Sequence, residues 1–406
     1  MTTQSVAATA AGGLFANPRY LRLWFAGGVG NAMRWLELLV AGIVTYDLTR
    51  SAFLVAAVTV ARSLPMLFLG PLAGVVAEAF NRRLLLLGQL CVMATVSAAL
   101  AALALSGGIR VWHLALAGGV AGTVWACEMA VRRRMLGEVV AADRIGAAVA
   151  LDSLTNSIAR VLGPLCGGIL FEVLGLAGAY LVSATLYAAA FVAIRRLDFA
   201  QETRRLRLGG IPREIAEGLA VARRTPAILG VVLVTIVMNT FGFCYAALIA
   251  PIGLAVYHVS PSLVGALAAA EPSGAIVVGV ALAGGWLRLD GGRALLRGSL
   301  LFLGGVIAMA LSPWYGLAFA LLVVGGLGTA VFANMQTSLI LIEAPPAARS
   351  RVMGIITMCI GTGPLGVLAI GALSERVGPP TAVLVMASLG VAGLALVWRQ
   401  VVRASA

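Results

Sequence analysis

The chain reads as long continuous apolar runs, not as the every-other-residue alternation of strands. Runs near Leu21–Tyr46, Phe53–Val76, Leu84–Leu105, Val111–Val131, Ile145–Leu174 and Ala177–Ile194 come first, each of a length that crosses a bilayer as a helix. A polar break over residues 195–226 follows. Then come Ile228–Ala250, Ser262–Trp286, Ala294–Ser312, Trp314–Ile340, Val352–Leu373 and Thr381–Trp398. The pattern predicts an all-α membrane protein with twelve transmembrane helices: a six-helix bundle over 1–194, a cytoplasmic linker over 195–226 and a second six-helix bundle over 227–406. Within the linker, Ile215, Leu219 and Ala222 share one helical face between Pro212 and Arg224, the pattern of an amphipathic helix lying on the membrane surface. A membrane β-barrel is excluded, because its strands would alternate over about ten residues. The stretch Met1–Ala16 lacks the basic-then-apolar layout of a cleaved signal.

Composition turns this pattern into a statement about solvent. Apolar residues make up 61% of 406 and charged ones 11%, against about a quarter charged in a soluble globular chain. Mean hydropathy is +1.01, so lipid surrounds most of the chain. The net charge of +13 comes from 29 basic residues, all of them Arg, and their distribution decides what the charge means. With the N-terminus inside, 23 arginines face the cytoplasm, Arg50, Arg110 and Arg376 face out, and Arg34, Arg62 and Arg160 lie within spans. That asymmetry is the positive-inside rule, so the charge reports orientation, with both termini cytoplasmic, and not a nucleic-acid partner. Cys91, Cys127, Cys166, Cys244 and Cys359 fall singly in apolar runs as small hydrophobes, without a paired motif. His113 and His258 are far apart at span ends, so no metal site is expected. No phosphate-binding loop supports ATP hydrolysis, and no cofactor or catalytic cluster is read; the chain is expected not to be an enzyme.

The two halves answer each other. Gly74-x-x-x-Glu78-x-x-Asn81-Arg82-Arg83 corresponds to Gly284-x-x-x-Arg288-x-x-Gly291-Gly292-Arg293, and Gly163-Pro164 to Gly363-Pro364. Glu172-x-x-Gly175 is matched by Glu375-x-x-Gly378. Parallel repeats of this kind build one class of secondary transporter. Four runs carry a resemblance to a known superfamily: YDLTRSAF (46–53), LPMLFLGPLAGVVAEAFNRR (64–83), NSIARVLGPLCGG (156–168) and RVMGIITMCIGTGPLG (351–366). The chain resembles major facilitator superfamily transporters over nearly its whole length, and in particular their bacterial drug and siderophore exporters. It departs from the superfamily's loop motif at Glu78, Ala79 and Asn81, and Leu114–Val124 carries no span-4 arginine. The resemblance implies a bacterial inner-membrane, multi-pass antiporter working by alternating access. It also implies that Glu78, with Arg82 and Arg83, latches the cytoplasmic side near Arg351.

Ionisable groups at bilayer depth are costly and mark functional sites or buried pairs. Asn31, Arg34 and Glu37 lie a turn apart in span 1, Arg62 in span 2, and Asp152, Asn156 and Arg160 at steps of four in span 5. Glu271 precedes Pro272 in span 8. These are the candidate substrate and proton-coupling residues, with a structural Arg34–Glu37 ion pair as the alternative. Glu37 is expected to be the main proton-coupling carboxylate and Arg160 a substrate- or carboxylate-facing partner. Asp152 is expected near enough to cytoplasmic water to stay ionised. Gly163 and Pro164 permit a bend or close packing. Glu128 and Arg132–Arg134 read as interfacial anchors. The expected function is secondary active export of small amphipathic or anionic molecules, with protons as coupling ion, by a monomer in the lipid bilayer. An importer, a flippase for lipid-like substrates, or a non-transporting receptor or scaffold are the alternatives.

Overall fold

In lipid every backbone N–H and C=O must be paired within its own segment, so apolar runs of this length become helices. A computed structural model describes residues 14–197, 199, 211–287, 289 and 291–403; the side chains of residues 67–79 and 211–215, among others, lie outside the description. The described residues are helical, with no strand among them. The early helices are α1 (Pro18–Thr49), α2 (Ala52–Ala79), α3 (Arg82–Leu105), α4 (Val111–Val139) and α5 (Ile145–Arg195). After α6 (Ile211–Arg224) come α7 (Pro226–Val256), α8 (Pro261–Ala283), α9 (Gly291–Ala310) and α10 (Tyr315–Glu343). The last helices are α11 (Arg349–Ile360), α12 (Gly363–Val377) and α13 (Pro379–Arg403). Among the described residues, eight helices are long and apolar enough to cross a membrane.

Local chemistry sets several boundaries. Asn81 caps α3, its side-chain oxygen accepting from the Leu84 N–H at 3.2 Å. At 51 residues α5 would be roughly 76 Å of helix at 1.5 Å per residue, over twice a hydrocarbon core. Gly175 interrupts it with φ 68° and ψ −174°, a conformation that glycine adopts without steric cost. The helix α4 runs on past Val131, the expected end of the span, to Val139. That extension places Arg132 inside a helix instead of at its margin.

The chain groups into two compact units, Met1–Ala41 with Ala61–Leu208, and Gly42–Val60 with Gly209–Ala406. In the first, α5 closes on α1 because Gly163 has no side chain. A Cβ there would sit 2.6 Å from the Trp35 Cβ and 2.8 Å from the Ala32 carbonyl oxygen. In the second, α7 is discontinuous: π-helical turns at Met238–Gly242 and Ile252–Val256 flank a 3₁₀ stretch, Phe243–Leu248. The Thr240 hydroxyl donates to the Thr362 oxygen at 3.1 Å, next to the break between α11 and α12. The amphipathic α6, expected along the membrane surface, docks on α11 through Gly218 and an ion pair of Glu217 with Arg351 at 3.1 Å. Gly209 and most of the linker before α6 lie outside the described residues.

Candidate functional site

The chemistry of the first unit starts with the glycines of α1. Gly27 leaves room for the Arg132 side chain, since a Cβ there would stand 2.8 Å from the Arg132 Cζ and 2.9 Å from its Cδ. Gly30 likewise faces Glu128, with 3.1 Å from its hypothetical Cβ to a carboxylate oxygen. Arg132 thereby enters the interior at 8% side-chain exposure. It bonds Asp152 of α5 through Nη1 and holds Glu128, one turn back on α4, at 3.6 Å through Nε. One expectation is corrected here. Arg132 is not an interfacial anchor but a buried cation shared by two carboxylates. Asp152, at 15% side-chain exposure, pairs with that cation. A buried arginine with a carboxylate on each side avoids the cost of an unpaired charge.

One turn deeper on α1, Arg34 is fixed differently. Its Nη2 donates to the Asn31 Oδ1 at 3.0 Å and the Asn156 Oδ1 at 3.2 Å. Its guanidinium lies over the rings of Trp125 at 4.5 Å and Trp35 at 5.4 Å. Arg160 stacks over Trp35 as well, at 5.5 Å. The sequence alternative of an Arg34–Glu37 ion pair is not what forms. Glu37, 4% exposed, accepts instead from the Ser97 hydroxyl of α3 at 2.9 Å, with the Arg62 charge acting on it. Amide oxygens and indole faces hold Arg34; among the described residues no carboxylate comes within ion-pair distance of it.

These groups border a small cavity within the first unit. Arg34, Arg62, Arg132, Glu128, Gln89 and Trp125 supply its polar and aromatic wall, and Leu86, Leu90 and Met93 part of its apolar wall. Arg34, Arg62 and Arg132 thus border it together with Glu128, and Arg132 is already paired with Asp152. The structure brings Asn31, Arg34, Asn156 and Arg160 together around Trp35, places Arg62 on the cavity wall, and leaves Glu37 behind that wall. Glu271 lies in the second unit, on α8 and 5% exposed. Sequence reasoning missed Glu128, Arg132 and Trp125 as site residues. The available signal was the Glu128-x-x-x-Arg132 spacing, one helical turn, opposite the small residues Gly27 and Gly30.

The loop-motif residues act locally. Arg82, 5% exposed, pairs with Glu138 at the end of α4. Arg83 donates to the carbonyls of Ile194 and Arg195, satisfying acceptors at the end of α5. Both therefore bind the first unit's own helix ends. Gly74 and Glu78 fall in α2, with side-chain positions outside the described residues.

Comparison with known proteins places this site in a family. The fold is similar to a bacterial homologue of the human lysosomal transporter Spinster, at 15% identity and TM-score 0.69 over 96% of this chain and 99% of that one. A POT family transporter in complex with 5-aminolevulinic acid gives 10% identity and TM-score 0.73 over 95% and 96%. The nucleoside transporter NupG gives 15% identity and TM-score 0.67 over 94% and 98%. At these identities the likeness is one of fold. No curated protein matches the sequence. The family and fold are those of transporters, not of enzymes. Over residues 10–405 the sequence matches the transmembrane secretion effectors, and the chain belongs to that family of major facilitator transporters.

Proposed function

We propose that this membrane transporter exports small amphipathic or anionic molecules by alternating access, with protons as the coupling ion. The observation that carries the reading is the cavity of the first unit, lined by Arg34, Arg62, Arg132, Glu128 and Gln89 beside apolar side chains. Arg34, which no carboxylate of the described residues pairs with, can receive an anionic head, and the leucine and methionine side chains accept an apolar body. In this reading Glu37 is the main proton-coupling carboxylate, supported by its burial beside Ser97 and the Arg62 charge. Arg160, with Asn31, Asn156 and Asp152, completes the polar path of the first unit, and Glu271 is the candidate carboxylate of the second. Glu78, Arg82 and Arg83 close the cytoplasmic side, and Gly163 with Pro164 permits a bend or close packing of α5. Twelve spans in two parallel six-helix repeats, 1–194 and 227–406 about a cytoplasmic linker, put both termini in the cytoplasm of a bacterial inner membrane. The working form is a monomer.

Direction is the point that the fold leaves open, since the related transporter folds include importers. The test is uptake of an aromatic sulfonate into inside-out and right-side-out vesicles, with and without an imposed pH gradient. Export predicts gradient-dependent accumulation in inside-out vesicles, lost in Glu37→Gln. Accumulation in right-side-out vesicles alone establishes import, and transport indifferent to the gradient removes proton coupling.

A further inference from the structure

Two side chains on the wall of the first-unit cavity carry a polar atom with no protein partner. The Gln89 Oε1 of α3 and the Arg132 Nε of α4 are both buried, and neither makes a hydrogen bond among the described residues. The Arg132 Nε stands 3.6 Å from the Glu128 carboxylate, within ion-pair reach but too far for a hydrogen bond. One of the two atoms is an acceptor and the other belongs to a donor. Leaving either unmatched costs the desolvation of a polar group, so an occupant that meets both is favoured.

Size and polarity name that occupant. In the conformation that the structure describes, the cavity has a volume of about 30 Å³, close to the share of one molecule in liquid water. The Gln89 oxygen and the Glu128 carboxylate call for hydrogens, which disfavours a small anion. The Arg132 Nε–H, with Arg34 and Arg62 on the same wall, calls for a lone pair, which disfavours a small cation. Water supplies both, and a buried water typically makes about three hydrogen bonds. The wall also leads onward. Tyr187 of α5, 3% exposed, lines the cavity together with Glu128. The same side chain reaches the Glu37 carboxylate, on which Ser97, Tyr180 and the Arg62 charge also act. A carboxylate thus stands at each end of a short polar line.

We propose that the cavity holds a buried water on the Gln89 Oε1 and the Arg132 Nε, and that this water passes protons between Glu128 and Glu37 by way of the Tyr187 hydroxyl. The Glu128 carboxyl gives its proton to the water, and the water gives one of its own to the Tyr187 oxygen. The original Tyr187 hydroxyl proton goes to the Glu37 carboxylate. Water and tyrosine end unchanged, Glu128 is left a carboxylate and Glu37 a carboxylic acid; the reverse step runs through the same atoms. This assignment rests on the proton-coupled reading above and adds to Glu37 a second carboxylate, a relay hydroxyl and the water between them.

Two measurements on the full-length protein test it. A crystal structure that resolves ordered solvent is expected to show a density peak within hydrogen-bond distance of the Gln89 Oε1 and the Arg132 Nε. A dry cavity overturns the assignment, and so does a peak that a bromide soak marks by anomalous scattering. The second measurement is time-resolved infrared spectroscopy after a pH jump, in lipid and without substrate. The Glu37 carboxyl band is identified by its loss in Glu37→Gln. Its rise should slow about a hundredfold in Tyr187→Phe, the lower end of what a positioned proton-transfer group contributes. It should slow also in Gln89→Met, which keeps the length of the side chain and drops the acceptor; either variant decides the point if the other does not fold. Unslowed protonation in either variant, or no Glu37 band at all, removes the relay. Flux of an aromatic sulfonate in proteoliposomes separates the two claims. A working relay without gradient-driven flux removes proton-coupled export and keeps the relay, whereas gradient-driven flux at the parent rate in Tyr187→Phe keeps export and removes the relay.

Discussion

Arg132 is the residue whose loss should cost most, and the structure sets the size of the effect. Replacing it with Met keeps much of the aliphatic volume and removes the charge. Asp152 and Glu128, at 15% and 21% side-chain exposure, then lose the cation that they share. Breaking a buried pair by removing one partner costs roughly 3–5 kcal/mol, because a desolvated charge is left behind. The partial exposure of Glu128 lets water share that charge, which points to the lower end, about 3 kcal/mol. For a unit of this size that corresponds to a melting shift of roughly 6–12 °C. Removing Asp152 as well should restore part of the loss, since Arg132→Met together with Asp152→Asn leaves one carboxylate fewer to satisfy. The assay is a double-mutant cycle on thermal unfolding in detergent. A coupling energy of at least about 1 kcal/mol is expected between positions 132 and 152. If the two single effects add to within about 0.5 kcal/mol, the pair contributes nothing jointly and the buried-cation argument falls.

Two further substitutions probe the packing around that site and the second unit. Gly163→Val should destabilise the protein by about 1–3 kcal/mol through overpacking, because the new side chain meets the Ala32 carbonyl, which has nowhere to go. The same substitution should weaken sulfonate binding, since Trp35 stacks on Arg34; unchanged melting and binding would show that α1 and α5 separate freely. Glu375 accepts from the Phe53 N–H at 3.0 Å and the Ser51 hydroxyl at 2.6 Å, acting as an anionic cap on the first turn of α2. Glu375→Ala should cost about 0.5–1 kcal/mol of stability, with the deficit shrinking in high salt; a deficit independent of salt would contradict the capping account.

How far the sequence carried the reading depends on whether a feature is local. Helices were legible wherever an apolar run exceeded the width of a bilayer, and so were the span boundary between Leu174 and Ala177 and the amphipathic α6. Arg34, Arg62 and Asn156 stood out because a charge or amide in such a run has no solvent to face. Their partners did not, because Arg34 meets Asn156 across 122 residues and Glu37 meets Ser97 across 60. Nothing in either segment records that choice. The case of Arg132 is different. Hydropathy ends the span at Val131 because three arginines follow, and the first of them looks no different from the next two. Its identity as a buried cation is written in α1, where Gly27 leaves the space that it fills.

The distribution of buried polarity gives the two units different work. Among the described residues, the buried charges of the first unit are Glu37, Arg82 and Arg132, and its cavity adds Arg34, Arg62 and Glu128. The second unit buries one charged residue, Glu271, among neutral groups such as Thr235, Asn239, Thr329 and Gln336. Its polar chain runs from the Gln336 Nε2 to the Thr235 hydroxyl at 2.6 Å, and from the Asn239 amide to the Thr235 carbonyl at 2.9 Å. That chain sits where α7 leaves regular helical geometry, next to the break between α11 and α12. Neutral hydrogen bonds of this kind satisfy backbone groups at a discontinuity without holding a charge. Among the described residues, buried charge is therefore concentrated in the first unit. The irregular helices of the second unit satisfy their bends with neutral groups instead.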